Sequence, residues 1–174
     1  MEGDLISCVR VGDVKNVQNA LLEAKRYMKM DACDGRGNTA LHVACRLKHE
    51  LIVEILCNAG ANVNIRNKRG STPLIMACSL FPSSSGATEK DIELEAQTCL
   101  SLARHLLGSH ADARVCNDAG ETALSCVFSG PLQVSGLMGN IVRLLIAAGA
   151  DVNSTSATGA TVLHWACSLC RWKK

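Results

Sequence analysis

Cysteine offers this sequence most of its chemistry, with ten in 174 residues. Cys167-Ser168-Leu169-Cys170 has a C-x-x-C spacing, which by itself suits zinc binding or dithiol redox work. A zinc site needs two more ligands, and no second C-x-x-C exists. A redox pair belongs beside a strand–helix–strand pattern, which this chain lacks. Cys45, Cys78 and Cys167 recur at one place in a repeated block, as small buried hydrophobes would. Core packing is therefore the reading, with no metal and no cofactor. A metal- or redox-active cysteine protein is the alternative.

Carboxylates and histidines give no stronger lead. Glu89, Asp91, Glu93 and Glu95 are spaced by two, so successive acids fall on different helix faces. They read as a solvated helix start whose charge complements the helix dipole. His42 and His164 fall in separate repeats and do not form a shared metal site. No glycine-rich phosphate loop or nucleophile elbow is present. No catalytic residue is assigned, and the chain is not read as an enzyme.

Aromatics make up 3% of the chain against a hydrophobic fraction of 48%. Its core must be built from Leu, Ala, Val, Ile and Cys, which helix-on-helix stacking tolerates. The net charge of +2 is too small to imply nucleic acid, and stacking rings are few. No apolar stretch approaches the roughly 18 residues that cross a membrane. Met1-Glu2-Gly3-Asp4 is acidic, unlike a signal peptide, so the expected location is cytoplasmic, with the nucleus as the alternative.

Self-similarity organises the chain. Gly37-Asn38-Thr39-Ala40-Leu41-His42-Val43-Ala44-Cys45 returns as Gly70-Ser71-Thr72-Pro73-Leu74-Ile75-Met76-Ala77-Cys78. It returns as Gly120-Glu121-Thr122-Ala123-Leu124 and again from Gly159 to Cys167. The threonines are spaced by 33, 50 and 39 residues. Leu56 to Asn64 matches Leu145 to Asn153, and a worn copy runs from Leu106 to Asp112. Each unit reads as a turn, a short helix, a second helix and an extended return. Asp34/Gly37, Asn67/Gly70 and Asp118/Gly120 supply turn chemistry. Thr39, Thr72, Thr122 and Thr161 are placed as helix N-caps, and Pro73 suits the first helical position. Leu51, Ile52, Ile55 and Leu56 form an apolar stripe for a second helix. Gly60 and Gly149 are its stops.

These blocks resemble the ankyrin repeat, with its period near 33 and its Thr-Pro-Leu-His-x-Ala and Gly-Ala-Asp-Val-Asn signatures. The resemblance covers nearly the whole chain. It implies an all-α ankyrin-repeat solenoid of stacked helix-turn-helix units with β-hairpin-like finger loops. The single domain, 1–174, divides into approximate units 1–33, 34–66, 67–116, 117–155 and an incomplete 156–174. Leu5 to Leu22 opens the first unit, whose return segment, Lys25 to Met30, lacks the Gly-Ala-Asp pattern. The third unit carries a long insertion near 81–98 and the fourth a short one near 130–140. Phe81 to Ala87 is loop by composition. Thr88 and Asp91 form a capping-box pattern, and Ile92, Ala96, Leu100 and Ala103 share a helical face. The second helix of this unit should therefore be lengthened at its N-terminal end. Trp165 and Leu169 lack a covering second helix, which points to a longer parent protein or to self-association at that end.

The family's histidine role carries over to His42 and His164, as ties between neighbouring turns; Ile75 and Ser125 stand in its place elsewhere. The leucine-to-Asp-Val-Asn pattern before Asn153 resembles that of hydroxylated ankyrin asparagines, making Asn153 a candidate modification site. A finger-turn hydrogen bond is the stronger reading of that residue. Ankyrin partners usually meet the fingertips and the exposed side of the first helices. The corresponding residues are Arg10, Arg36, Asn38, Arg46, Leu47, Lys68, Arg69, Ser71, Leu80 and Glu121. The first half of this face is basic and the second neutral or acidic. The expected function is a protein-interaction module or scaffold for an acidic protein partner, without nucleic acid or membrane. A regulatory domain of a larger enzyme is a further alternative.

Overall fold

The structure, a computed structural model, describes residues 4–27, 29–79, 88–129, 137–155, 159–161 and 163–164. Among them, eight helices alternate between two layers. The inner layer holds α1 (Leu5–Val11), α3 (Ala40–Arg46), α5 (Pro73–Cys78) and α7 (Ala123–Ser129). The outer layer holds α2 (Val14–Arg26), α4 (Glu50–Asn58), α6 (Glu89–Gly108) and α8 (Met138–Ala147). Each inner helix packs against its own outer helix and against the inner helix of the next unit, and outer helices stack likewise. The described residues contain no β-strand; isolated antiparallel bridges join Cys116 to Thr122 and Thr155 to Thr161. The described finger turns thus form no sheet, and the one at Asn117 is closed by a single bridge.

The inner helices start where the threonines place them. The Thr39 hydroxyl accepts from the His42 N–H, the Thr72 hydroxyl from the Ile75 N–H and the Thr122 hydroxyl from the Ser125 N–H. Pro73 occupies the first turn of α5, where its missing N–H costs nothing. The core is continuous between the layers, and Leu41, Ile52, Leu56, Leu74, Leu102, Leu106, Leu124, Ile141 and Leu145 are fully buried. Each contributes roughly 1.5–3 kcal/mol by leaving water. Cys45, Cys78, Cys99 and Cys126 are buried among them, in keeping with core packing.

Helix α6 runs for 20 residues from a Thr88 N-cap, so the second helix of this unit is indeed lengthened at its N-terminus. The Thr88 and Asp91 side chains complete a reciprocal capping box, with the Thr88 N–H donating to Asp91 Oδ2 at 2.8 Å. Ala96, Leu100 and Ala103 are buried and Ile92 packs at the edge of the core. The Ser101 hydroxyl donates to the Glu50 carboxylate, tying α6 to α4.

The structure corrects two sequence expectations in these elements. Leu51 points outward and is 63% exposed, while Val53 is buried beside Ile52 and Leu56. The side chain that builds the third finger turn is the Asn117 amide, not the Asp118 carboxylate. Asn117 Oδ1 accepts from the N–H groups of Ala119 and Glu121, as Asn67 Oδ1 accepts from those of Arg69 and Ser71. Asp118 instead pairs with Arg66 at 3.4 Å. The insert residues 80–87, most of the 130–140 insertion, Trp165, Leu169 and the Cys167–Cys170 pair lie outside the described residues.

A basic basin on the finger and inner-helix face

Each finger is a turn built by one side chain. Asp34 Oδ1 accepts from the N–H groups of Arg36 at 2.8 Å and Asn38 at 2.9 Å, which lifts Arg36 to the tip. Gly37 closes the turn with φ +77°, and a Cβ there would lie 2.9 Å from the Lys68 backbone nitrogen. Only glycine combines that dihedral with so close a neighbour. The fingers touch through their backbones: the Lys68 N–H donates to Arg36 O at 3.1 Å and the Asp118 N–H to Arg69 O at 3.0 Å. Adjacent tips are thus held in fixed register.

A second tie runs beneath them. Fully buried His42 accepts at Nδ1 from the Thr39 N–H at 3.2 Å, so its Nε2–H donates to the Ser71 carbonyl at 3.0 Å. Burial holds this imidazole below its ordinary pKa, outweighing the opposing pull of the Ser71 carbonyl. The role implied by the family resemblance is thus met at His42. At Ser125 the hydroxyl is used within its own unit, accepting from the Thr122 N–H at 2.9 Å. His164 Nδ1 likewise meets Thr161.

Arg10 and Arg46 stand in the last turns of α1 and α3, where a cation complements the carbonyl end of a helix. Because α1 packs on α3, both reach the side of the Asp34 finger. Arg10, Arg36 and Arg46, with Asp34 and Gly35, line an open basin of about 430 Å³. Arg10 Nη2 donates to Asp34 Oδ2 at 3.1 Å. Partial burial opposes ionisation of Asp34. The N–H groups of Asn38 and Arg36, the Asn38 amide and the Arg10 guanidinium nonetheless hold its carboxyl below the usual carboxylate range. Arg36, Arg46, Lys68 and Arg69 are exposed, and among the described residues none of them enters an ion pair. Leu47, 39% exposed, follows Arg46.

Three of the expected contact residues face inward instead. Asn38 is buried, donating its amide to Asp34 and accepting from Asn67 Nδ2 at 2.9 Å. Ser71 is buried, with its hydroxyl facing Asn117 Nδ2. Glu121 is half-buried and accepts from Asn117 Nδ2 at 2.8 Å. Finger stacking covers the position after each of these tip glycines; Asn38 and Ser71 link neighbouring fingers, and Glu121 braces its own turn. Leu80 lies outside the described residues. Asn153 is exposed, and its backbone N–H donates to Asp151 Oδ1 at 2.9 Å. Asp34 is the residue of the basin that sequence reasoning gave no charge role. Its signal was available, since Asn67 and Asn117 occupy the same turn position without charge.

Burial pushes the Cys126 thiol up to about 11 and the Cys45 thiol higher still. The contact with Cys99, followed by burial, holds Cys78 well above its ordinary value. Among the described residues no group of three or more His, Cys, Asp or Glu side chains could hold a metal ion. No helix among them is long and apolar enough to cross a membrane.

The family model for ankyrin repeats in three copies matches residues 5–86 and 94–172. Similar proteins include a probable E3 ubiquitin-protein ligase of Oryza sativa subsp. japonica, 38% identical over 74 residues, which are 42% of this chain and 15% of that protein. The neurogenic locus notch homolog protein 1 of Xenopus tropicalis is 30% identical over 136 residues, 78% of this chain and 4% of that protein. The E3 ubiquitin-protein ligase KEG of Arabidopsis thaliana is 29% identical over 165 residues, 88% of this chain and 9% of that protein. The chain thus spans less than a sixth of the length of these relatives.

Proposed function

Since this chain belongs to the ankyrin-repeat family, whose repeats generally mediate protein–protein interaction, we propose that it is a non-catalytic module that binds an acidic protein partner. The reading rests on one observation: Arg36, Arg46, Lys68 and Arg69, from two consecutive units, are exposed along one face and enter no ion pair among the described residues. Backbone bonds between the fingers fix their spacing. A preorganised row of cations steers an acidic surface into place and raises the association rate more than the final affinity. Leu47 supplies apolar contact beside it.

The two relatives that are E3 ubiquitin-protein ligases favour a second form of the same reading, in which the module recruits a partner for a longer enzyme. Capture from cell lysate tests the binding face. The intact protein should retain partners that are lost, or bound more slowly, by Arg46→Glu/Lys68→Glu. Unchanged circular dichroism should show that the fold survives. Retention of the same partners at the same rate by the double reversal would reject this face.

A further inference from the structure

We propose that the basin of Arg10, Arg36 and Arg46 is the receiving site for a phosphorylated side chain of the protein partner, a reading that rests on the face being a protein-binding surface. Charge gives the first argument. Three arginines and one aspartate line the basin, leaving two positive charges to be balanced. One carboxylate balances half of that, whereas a phosphomonoester carries about −1.5 to −2 at neutral pH.

Donor geometry gives the second. All three cations here are guanidinium groups, and the lysine of this face, Lys68, lies on the neighbouring finger. Guanidinium forks engage phosphate oxygens in pairs, and three phosphate oxygens can meet more than one fork at once. A single carboxylate offers one such edge. Arg36 and Arg46 have no ion pair among the described residues, so two forks stand open to the basin.

Asp34 gives the third. Asn67 and Asn117 build the same turn by accepting the same pair of backbone N–H bonds, so the turn needs no charge. Of these three finger turns, the one with a carboxylate is the one that Arg10 faces, at 3.1 Å. Asp34 holds the Arg10 side chain over the basin and leaves a net charge of two, which a dianion neutralises fully and a single carboxylate only by half.

The arginine Nε–H resonances of the isotope-labelled 174-residue protein test this directly. The probes are inorganic phosphate and three short peptides in one Gly/Ser frame, centred on phosphoserine, serine or two adjacent glutamates. The phosphoserine peptide should move Arg10, Arg36 and Arg46 saturably, leave Arg66 and Arg114 in place, and bind roughly tenfold tighter than the diglutamate peptide. Arg36→Gln/Arg46→Gln should remove that advantage. Equal binding of the two charged peptides would overturn the phosphate assignment while leaving the acidic-partner reading intact. Inorganic phosphate binding as tightly as the phosphopeptide would overturn the assignment in favour of a free anion. No shift at these arginines with any probe would also overturn it, while lysate capture separately decides whether the face binds protein.

Discussion

At the scale of single residues, His42 and the turn-building side chains of Asp34, Asn67 and Asn117 serve the fold, while Arg36, Arg46, Lys68 and Arg69 are exposed. His42 fills a closed site and satisfies both ring nitrogens across two units. His42→Ala removes packing and strands the Ser71 carbonyl, so it should cost about 2–4 kcal/mol at neutral pH, read by urea denaturation. The folded pKa of His42 is depressed. Its contribution is therefore complete above the unfolded value of about 6.5 and is lost as pH falls through the folded pKa. The stability gap between wild type and His42→Ala should accordingly narrow on going from neutral pH to the acid side. A constant gap would mean that the buried neutral ring is not the source. The histidine's role was legible from repeat phase. The Arg10–Asp34 pair was not, because nothing in local spacing reveals a contact between residues of two different units.

At the scale of elements, the departures from the repeat are where the structure yields most. Helices α4 and α8 are followed by a glycine at positive φ, Gly60 and Gly149, both at +87°. In the worn copy the glycine sits at Gly108, inside α6, and His110 takes the turn at φ +66°. A side chain in the left-handed region costs about 1 kcal/mol. His110→Gly should therefore raise stability by roughly 0.5 kcal/mol after the glycine's greater unfolded freedom is subtracted; thermal denaturation would show it. Thr88 anchors the extended start of α6, and Thr88→Ala should weaken that end by about 1 kcal/mol. Hydrogen exchange should accelerate in the first turns of α6 while the later turns stay protected. Element order, the threonine caps and the Thr88 box were readable because each is a polar residue at a fixed offset from an apolar run. The third finger's register was misread because Asn117 and Asp118 are adjacent turn formers, and only the hydrogen bonds distinguish them. Leu51 was misplaced because the face that α4 turns to α3 and its outer neighbours is formed by Ile52, Val53 and Leu56, which leaves Leu51 in solvent.

At the scale of the whole molecule, every unit leans on its neighbours, so position along the stack matters as much as burial. Leu74 is 1% exposed and sits in α5, between α3 and α7, whereas Leu5 lies in the terminal helix α1. Leu74→Ala should cost about 3–4 kcal/mol and broaden or split the denaturation transition as the two halves uncouple. Leu5→Ala should cost less and leave one transition. The four cysteines buried among the described residues give such experiments a built-in clock. Cys45, Cys78, Cys99 and Cys126 belong to α3, α5, α6 and α7, so each samples a different stretch of the stack. Their thiols become available to an alkylating reagent only when their own helix opens. Timed labelling read by peptide mass would rank the opening of successive units within a single molecule, with no probe introduced. The small, ring-poor core thus makes the protein a recorder of its own breathing.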